Sequence, residues 1–415
     1  MKIKILFIVV LSLILRLLYI SPWLEDWDSV QFALALNHYS IVLHQPHAPG
    51  YPLYILMAKF LNIFINNPTL SLTYLSTFLG SIIIIPIYIL SKKMFSSTVA
   101  FFASLFFMAA PVSWTLSEVA LTNIPGQFFL ILIIYLLFIF LKNKKAIILI
   151  SGLFGLMLGI RFTEFPIIVS LLTFVIFFHK SPKLALHSFL SFIIGISIWL
   201  IPLILVTGFR EFVDSYQWIA NYIFKHDALL GQSFNIKALL LQRLEKLIFI
   251  TKIGFTPLFS MLSIFSLVWI FAFREYLRNS NIQFLIVWLI SYLIPLIFVY
   301  NLEVPRYILP LLAPLAILNT VFILDMFKSK MLIYFFILLL TFFILFNQAF
   351  DQVKRFKNTT PPTIAAVEFL KNNYNSKDTV IIATLTYRHF QYYAPQFETV
   401  YGEKPLQNID LNNKS

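Results

Sequence analysis

The chain has 415 residues, of which 60% are hydrophobic and only 12% are charged, and its mean hydropathy is +0.85. This composition excludes an ordinary soluble protein, in which about a quarter of the residues are charged, and predicts a polytopic helical membrane protein. The absence of cysteine excludes disulfides, thiolate nucleophiles and Cys-ligated metal sites. The net charge of +13 comes from short Lys and Arg clusters between apolar runs, which is typical of membrane topology rather than of nucleic-acid binding.

Eleven apolar runs are predicted to be membrane spans. The first, residues 1–20, is followed by no small-residue cleavage site, so we expect an uncleaved span with a cytoplasmic N-terminus. A weaker run at 51–65 is assigned to the membrane interface, because the Lys and Arg clusters of the short loops then all lie on the side of Lys2 and Lys4. The other spans are expected near residues 70–90, 97–114, 124–141, 146–160, 165–178, 184–206, 247–273, 282–300, 307–325 and 331–348.

This topology puts five segments on the outer face, where the chemistry is expected: residues 21–50, 115–123, 208–246, 301–306 and 350–415. Residues 1–349 are predicted to form one membrane domain, and residues 350–415 a small extracytoplasmic α/β domain. In that tail, Thr359-Thr360-Pro361-Pro362 predicts a threonine N-cap and an N1 proline for a short helix. A buried strand is predicted at 379–385 and another short helix at 387–393.

The first outer loop carries Asp26 and Asp28 where the first span leaves the bilayer. Asp28 and Gln31 fit a capping box for a helix that runs to about Tyr39 along the membrane surface. Capping and catalysis do not exclude one another, because a helix N-terminus fixes its carboxylate in place.

A proline-rich connector, His44-Gln45-Pro46-His47-Ala48-Pro49-Gly50-Tyr51-Pro52, follows this helix. Its two histidines could bind a metal, an anion or nothing. From the residues alone, the interpretation as plain loop residues is favoured for both.

These residues resemble the GT-C integral-membrane glycosyltransferases, in particular the branch of the protein O-mannosyltransferases and the lipid A aminoarabinose transferases (glycosyltransferase family 39-like). The resemblance rests on the acidic pair, the Asp28-x-x-x-Phe32 pattern, the connector and a Pro-Arg-Tyr-x-Leu-Pro segment at 305–310, and it covers most of residues 1–350. It implies an all-α, GT-C-like bundle of about 11 transmembrane helices, interfacial helices in the first outer loop and a polyprenyl-phosphate-linked sugar as donor. Two positions depart from the family's pattern: Asn123, where relatives often have Asp, and His47, near a place where several relatives have Lys.

The resemblance implies that Asp28 matches the catalytic aspartate and that Asp26 is an additional carboxylate. Displacing a polyprenyl phosphate from a sugar needs a base for the acceptor proton and cations for the phosphate. We therefore expect Asp28 to be the general base, and Arg306, Arg161 and His47 to bind the donor phosphate. The alternatives are a snorkelling role for Arg306 and an i,i+3 pair with Glu164 for Arg161.

Glu118, Asn123 and His44 are expected at the acceptor or in its loop. Glu118 could also join Asp26 around a divalent cation, Mg²⁺ or Mn²⁺, although a solvated loop glutamate is the commoner outcome. No cofactor is certain from the sequence. Arg16 and Lys59 are interpreted mainly as residues that snorkel to the interface.

Together these observations predict an inverting glycosyltransferase of the cytoplasmic (inner) membrane with its active site on the extracytoplasmic face. It would move a sugar from a polyprenyl-phosphate donor to a cell-envelope glycan, lipid or protein hydroxyl, in contact with membrane lipids and without nucleic acid. One alternative is a polyprenyl-linked glycan polymerase or ligase, expected to rely on outer-loop Arg and His without an aspartate base. The other is a lipid or sugar transporter or flippase, which would keep ionisable residues near mid-bilayer.

Overall fold

Apolar runs separated by prolines and short polar loops fold into helices throughout residues 2–226, 236–384 and 386–402, which are the residues that the computed structural model describes. The first ten helices are α1 (Lys2–Tyr19), α2 (Trp27–Asn37), α3 (Pro52–Ile65), α4 (Pro68–Ile82), α5 (Ile84–Met94), α6 (Ser97–Ala109), α7 (Pro111–Leu116), α8 (Asn123–Ile139), α9 (Lys144–Met157) and α10 (Phe165–His179). The next eight are α11 (Pro182–Thr207), α12 (Phe209–His226), α13 (Ile236–Phe255), α14 (Pro257–Ala272), α15 (Arg274–Arg278), α16 (Ser280–Phe298), α17 (Leu309–Met326) and α18 (Met331–Asn358), with a 3₁₀ helix (Pro305–Ile308) before α17. The tail adds α19 (Pro362–Asn373), β1 (Val380–Ala383), α20 (Tyr387–Tyr393) and β2 (Glu398–Tyr401).

The chain is an integral membrane protein built from apolar helices. Within the described residues, five helical segments are long and apolar enough to cross a membrane, and a bent helix pair makes a sixth if it counts as one span. Four further apolar helices, including α8 and α10, have 17 residues or fewer. The predicted number of eleven spans therefore stays a prediction.

Prolines interrupt two of the predicted spans. The predicted span over 247–273 is not one straight helix, because α13 and α14 meet at an angle of 115°, and whether the pair crosses the membrane as one span stays a prediction. Thr256 lies at the bend with φ +75°, and its hydroxyl caps α14 by accepting from the Phe259 N–H, while Pro257 has no N–H with which to continue α13. The predicted span 97–114 likewise breaks before Pro111, which starts α7.

The packing of α9 against α11 depends on glycine. A Cβ added to Gly155 would lie 2.1 Å from the Phe192 carbonyl oxygen, and one added to Gly195 would lie 2.0 Å from the Gly152 oxygen. The Trp199 indole also donates to the Gly155 carbonyl at 3.0 Å. Small residues let helix backbones approach closely in membranes, where apolar burial gives helices little reason to associate.

Loops that were predicted to share a membrane side contact one another. On the predicted outer side, the Ser21 N–H donates to the Glu118 carbonyl at 3.3 Å, and the Tyr216 hydroxyl donates to the Pro49 carbonyl at 3.1 Å. On the predicted inner side, the Asn281 side chain donates to the Met94 carbonyl at 2.6 Å. These contacts agree with the predicted grouping of loops, although residues 227–235 of the outer loop lie outside the described residues.

The tail is the small α/β unit that was predicted. Strand β1 lies within the predicted 379–385, although position 385 itself is not described, and α20 matches the predicted bounds. Strand β2, which was not predicted, pairs with β1 in parallel. The predicted threonine N-cap of α19 is wrong: Pro361 is the N-cap, and only the N1 proline, Pro362, is confirmed.

The predicted domain boundary at 349/350 falls inside a continuous helix, since α18 runs unbroken to Asn358. The tail also packs on the first outer loop, where α20 lies against α2. Its division from the membrane part stays a prediction, and residues 403–415 lie outside the described part of the chain.

Candidate active site

The two aspartates of the first outer loop lie at the N-terminus of α2. Asp26 is the N-cap residue, and its Oδ1 accepts from the Asp28 N–H at 2.9 Å. The predicted capping box of Asp28 with Gln31 is therefore wrong, because Asp26 takes the capping position and the Gln31 side chain bonds His47 instead. The apolar side of α2 faces the protein interior rather than the membrane surface, since Phe32 is only 1% exposed.

Arg306 joins both aspartates from the 3₁₀ helix that precedes α17. Its Nη2 lies 2.9 Å from Asp28 Oδ2, and its Nη1 lies 3.1 Å from Asp26 Oδ2. The side chains of Arg306 and Asp28 are 18% and 21% exposed, and that of Asp26 is 37% exposed. The sequence places these groups about 280 residues apart, and the fold brings them into a single ion-paired cluster.

The surroundings shift the pKa values of the two carboxyl groups in opposite directions. Burial alone would raise the pKa of Asp28, but the positive charge of Arg306 and its hydrogen bond to the carboxylate outweigh burial, so this pKa is lowered from its ordinary value. Burial, followed by the negative charge of Asp28, raises the pKa of Asp26. Asp28 is therefore the more readily ionised of the two carboxyl groups, and it lies at the positive end of a helix dipole.

His47 lies beside Asp28, with Nδ1 at 3.6 Å from Asp28 Oδ1. Its Nδ1 is 2.8 Å from Gln31 Oε1, which accepts only, so this nitrogen carries the proton, and its Nε2 is 3.1 Å from the Tyr51 hydroxyl. Burial lowers the pKa of His47, so a neutral imidazole is expected. The interpretation of His47 as a plain loop residue is wrong, because the connector folds back onto α2.

The connector makes this return with unusual backbone geometry. Gly50 has φ +87°, and a Cβ there would lie 2.6 Å from the Tyr39 hydroxyl, so glycine is needed at this position. His44 does not reach the aspartates in this arrangement and instead packs against the Trp218 ring of α12, with ring centroids 4.7 Å apart. Burial lowers the pKa of His44 to about 4.

Arg161 and Asn123 lie on the same side of the molecule as Arg306. The Asn123 side chain donates to the Arg306 carbonyl at 3.5 Å. Arg161 is 7% exposed and makes the i,i+3 pair with Glu164 at 3.0 Å, the alternative noted from the sequence, and it also donates to the Thr122 hydroxyl at 2.8 Å. Its charge still contributes to the lowered pKa of Asp28.

Glu118 and Arg16 lie inside the bundle. Glu118 is 1% exposed and accepts from the Trp114 indole at 2.6 Å, so it is neither a solvated loop glutamate nor bonded to Asp26. Burial raises its pKa to about 9. Arg16 is also 1% exposed and donates to the Met108 carbonyl at 3.4 Å, so the interpretation of Arg16 as a snorkelling residue is wrong.

A divalent cation does not fit the predicted pair of Asp26 and Glu118. One oxygen of Asp26 bonds Arg306, and Glu118 bonds Trp114. Among the residues that the structure describes, three His, Asp or Glu side chains nowhere come together as a metal site.

Several residues of the site were missed from the sequence. Gln31 and Tyr51 hold His47, while His389 and Tyr393 of α20 reach the backbone of the first loop. Gln31 was interpreted only as a capping residue and Tyr51 only as part of the connector, so their contacts with His47 were not predicted. The contacts of α20 span more than 360 residues and have no local signal.

A family model described as dolichyl-phosphate-mannose-protein mannosyltransferase matches residues 46–206. This match begins in the proline-rich connector and ends in α11. The search of curated proteins found no match.

Solved structures match nearly the whole chain. ArnT from Cupriavidus metallidurans, bound to undecaprenyl phosphate, has a TM-score of 0.65 at 9% identity, over 96% of this chain and 86% of that one. The Archaeoglobus fulgidus oligosaccharyltransferase in the apo form has a TM-score of 0.58 at 12% identity, over 95% of this chain and 64% of that one. The chain has the GT-C fold.

The predicted resemblance to GT-C glycosyltransferases is thereby confirmed, as is the predicted helical GT-C-like fold, while the predicted number of spans is not. The present chain spans only 64% of the length of the archaeal oligosaccharyltransferase. A further structure of that enzyme, AglB, contains an inhibitory peptide and a dolichol phosphate, and has a TM-score of 0.55 at 12% identity, over 96% of this chain and 64% of that one.

Proposed function

We propose that this chain is an inverting glycosyltransferase that moves a sugar from a polyprenyl-phosphate donor to an acceptor hydroxyl. The observation that carries the proposal is the ion-paired cluster that Asp26 and Asp28 of the first outer loop form with Arg306 of the 3₁₀ helix before α17. It combines an ionised base with a guanidinium suited to phosphate, which are the two groups that this reaction requires. The family match and the fold support a polyprenyl-linked donor.

In the proposed reaction, Asp28 accepts the proton of the acceptor hydroxyl as that oxygen attacks the anomeric carbon. The bond between this carbon and the phosphate oxygen breaks, and polyprenyl phosphate leaves with the bonding electrons. A single displacement inverts the anomeric centre. The leaving phosphate is stable without protonation, so a second carboxylic acid is not needed.

Arg306 is proposed to bind the phosphate that leaves. The carboxylates occupy its Nη1 and Nη2, and a guanidinium has five N–H donors, so a phosphate oxygen can be bound beside the pair. Arg161 and His47 are proposed as further contributors on the phosphate side. Arg161 supplies permanent charge, whereas His47 would donate to the phosphate only as a protonated ring, because the single N–H of the neutral ring is bound to Gln31.

The acceptor is proposed to be an extracytoplasmic glycan, lipid or protein hydroxyl, at the outer face of a cytoplasmic membrane. Asn123, which bonds Arg306, is the proposed acceptor-side residue nearest to the cluster. Reporter fusions after Ala48 and Lys144 test the orientation. We expect an extracytoplasmic signal at position 48 and a cytoplasmic signal at 144, and the reverse result would overturn the assigned face.

The activity is tested with the purified chain in liposomes and a panel of polyprenyl-phosphate sugars. We expect release of free polyprenyl phosphate from at least one donor, together with a product of inverted anomeric configuration by NMR. Movement of intact donor lipid between leaflets, without release of the phosphate, would identify a flippase instead. Release that persists fully in the Asp26→Asn/Asp28→Asn variant would favour a polymerase or ligase that does not use an aspartate base.

A further inference from the structure

Helix α20 of the tail holds the backbone of the first outer loop just before the two aspartates. The Tyr393 hydroxyl accepts from the Leu24 N–H at 2.7 Å, and His389 Nε2 donates to the Glu25 carbonyl at 2.9 Å. Both bonds join residues more than 360 positions apart. They fix the peptide groups that lie directly before Asp26, the N-cap of α2.

The backbone at Leu24 and Glu25 is held by these bonds, whereas Ser21 at the start of the loop is held by the Glu118 carbonyl. Helix α1 ends at Tyr19 and α2 begins at Trp27, so the residues between them have no regular hydrogen-bond ladder. Leu24 is only 1% exposed, and a buried backbone N–H without a partner is strongly disfavoured. The tail supplies that partner.

Helix α20 also contacts a second backbone segment of the site, the one that leads into the connector. Arg388 donates through Nη2 to the carbonyl of Leu43, the residue directly before the connector that carries His47. The Tyr387 ring packs against Trp27, the first residue of α2, with ring centroids 5.2 Å apart. The same short helix therefore binds both backbone segments that bring Asp28 and His47 together.

The tail is itself anchored, so α20 is a firm support. Phe390 of α20 packs in a small buried core with Val367 of α19 and Ile381 of β1. The Tyr392 hydroxyl, next to Tyr393, bonds the Thr69 hydroxyl of α4 at 3.0 Å. The tail thus has one point of attachment on the catalytic loop and another on the membrane bundle.

We propose that His389 and Tyr393 are positioning residues: they hold the backbone of Leu24 and Glu25 and so fix the direction in which Asp26 and Asp28 face Arg306. Only the expected effect on catalysis rests on the proposed function. The contacts themselves predict local order in the loop whatever reaction the site performs. A shift of about 1 Å in a reacting group costs on the order of 100-fold in rate, so such a support acts on kcat rather than on donor binding.

The test compares neighbouring tyrosines on the same helix. Tyr393→Phe removes the bond to the catalytic loop, whereas Tyr392→Phe removes a bond to α4, with the same loss of one hydroxyl. In the full-length protein in nanodiscs, we expect Tyr393→Phe to speed amide hydrogen exchange in residues 23–31 and Tyr392→Phe to leave it unchanged. Equal exchange in both variants and in the parent would overturn the proposal, whether or not the donor is known.

The kinetic arm uses His389. We expect His389→Ala to lower kcat by about 10- to 100-fold with little change in the KM for the lipid donor, because the loop is displaced rather than the phosphate site. His389→Gln should restore most of kcat, since its amide N–H can still donate to the Glu25 carbonyl. A fall in kcat equal to that of Tyr392→Phe, or no rescue by Gln, would reduce α20 to a general stabilising element. If no variant or parent has transferase activity, the hydrogen exchange still decides the positioning role.

Discussion

Arg306 and Asp28 form an ion pair of 2.9 Å that ties the N-terminus of α2 to the 3₁₀ helix before α17. The same guanidinium bonds Asp26 through its other terminal nitrogen at 3.1 Å. A single side chain therefore orients both carboxylates of the first outer loop, and the charge of each aspartate depends on it.

Arg306→Lys is expected to lower kcat/KM for the lipid donor by about tenfold or more, because an ammonium group cannot bridge two carboxylates and a phosphate with the fork geometry of a guanidinium. The measurement is steady-state kinetics at varied donor concentration. Arg210→Lys on α12, which is exposed, is the matched control and should leave both constants unchanged. Wild-type kinetics in Arg306→Lys would reduce Arg306 to a structural cation.

The pH dependence of the reaction follows from the pKa of Asp28. Activity is lost as pH falls through that pKa, because the base must be deprotonated. Arg306 lowers the pKa of Asp28 against the effect of burial, so the acid limb should lie at low pH. In Arg306→Gln the positive charge that opposes burial is lost, so the pKa of Asp28 should rise. The acid limb of kcat/KM should then move to higher pH. A limb that stays in place, or moves to lower pH, would show that Asp28 is not the titrating base.

Glu118 gives a test of stability rather than of catalysis. Burial raises its pKa from the ordinary 4.5 to about 9, so its contribution to stability is fully present below pH 4.5 and is lost as pH rises toward 9. Glu118→Gln cannot ionise and keeps an oxygen for Trp114, so its Tm relative to the parent should be more favourable at pH 8 than at pH 5. Transfer should be unchanged.

The exposed Glu368→Gln in α19 controls for loss of one negative charge in the Glu118 experiment. A large loss of activity in Glu118→Gln alone would return Glu118 to the acceptor or metal role that the sequence suggested.

Gly155→Ala tests the close packing of α9 and α11. The added Cβ would lie 2.1 Å from the Phe192 carbonyl oxygen, so the helices must separate, at a cost of about 1–3 kcal/mol for overpacking. Thermal unfolding in detergent should show a clear drop in Tm. Leu205→Ala, at a position 77% exposed on α11, should show much less. A Tm for Gly155→Ala equal to that control would contradict the packing described.

Much of the architecture could be predicted from the sequence, because hydrophobic runs and proline signals are local. The limits of α20 were predicted to the residue, and the N1 proline of α19 was recognised. The bend at Thr256 was missed although Pro257 marks it, because residues 253–273 are mostly apolar on both sides of the break.

The site was predictable where a residue's role is set by its own segment, and not where distant segments decide it. Asp28 and Arg306 were singled out from their motifs, and the structure brings them together. His47 was underrated because its burial beside Asp28 depends on the return of the connector. Glu118 and Arg16 were misread because a loop or span end that turns into the bundle looks, in sequence, like one that faces water or lipid.

The most direct test of the proposed mechanism is the rate of sugar transfer by Asp28→Asn beside Asp26→Asn, in chains that show the parent's Tm. Asparagine caps a helix about as well as aspartate, so a loss of rate in either variant reports chemistry rather than folding. A general-base role for Asp28 predicts a fall of about 10²–10⁴-fold for Asp28→Asn and a smaller fall for Asp26→Asn. Near-normal transfer by Asp28→Asn would contradict it.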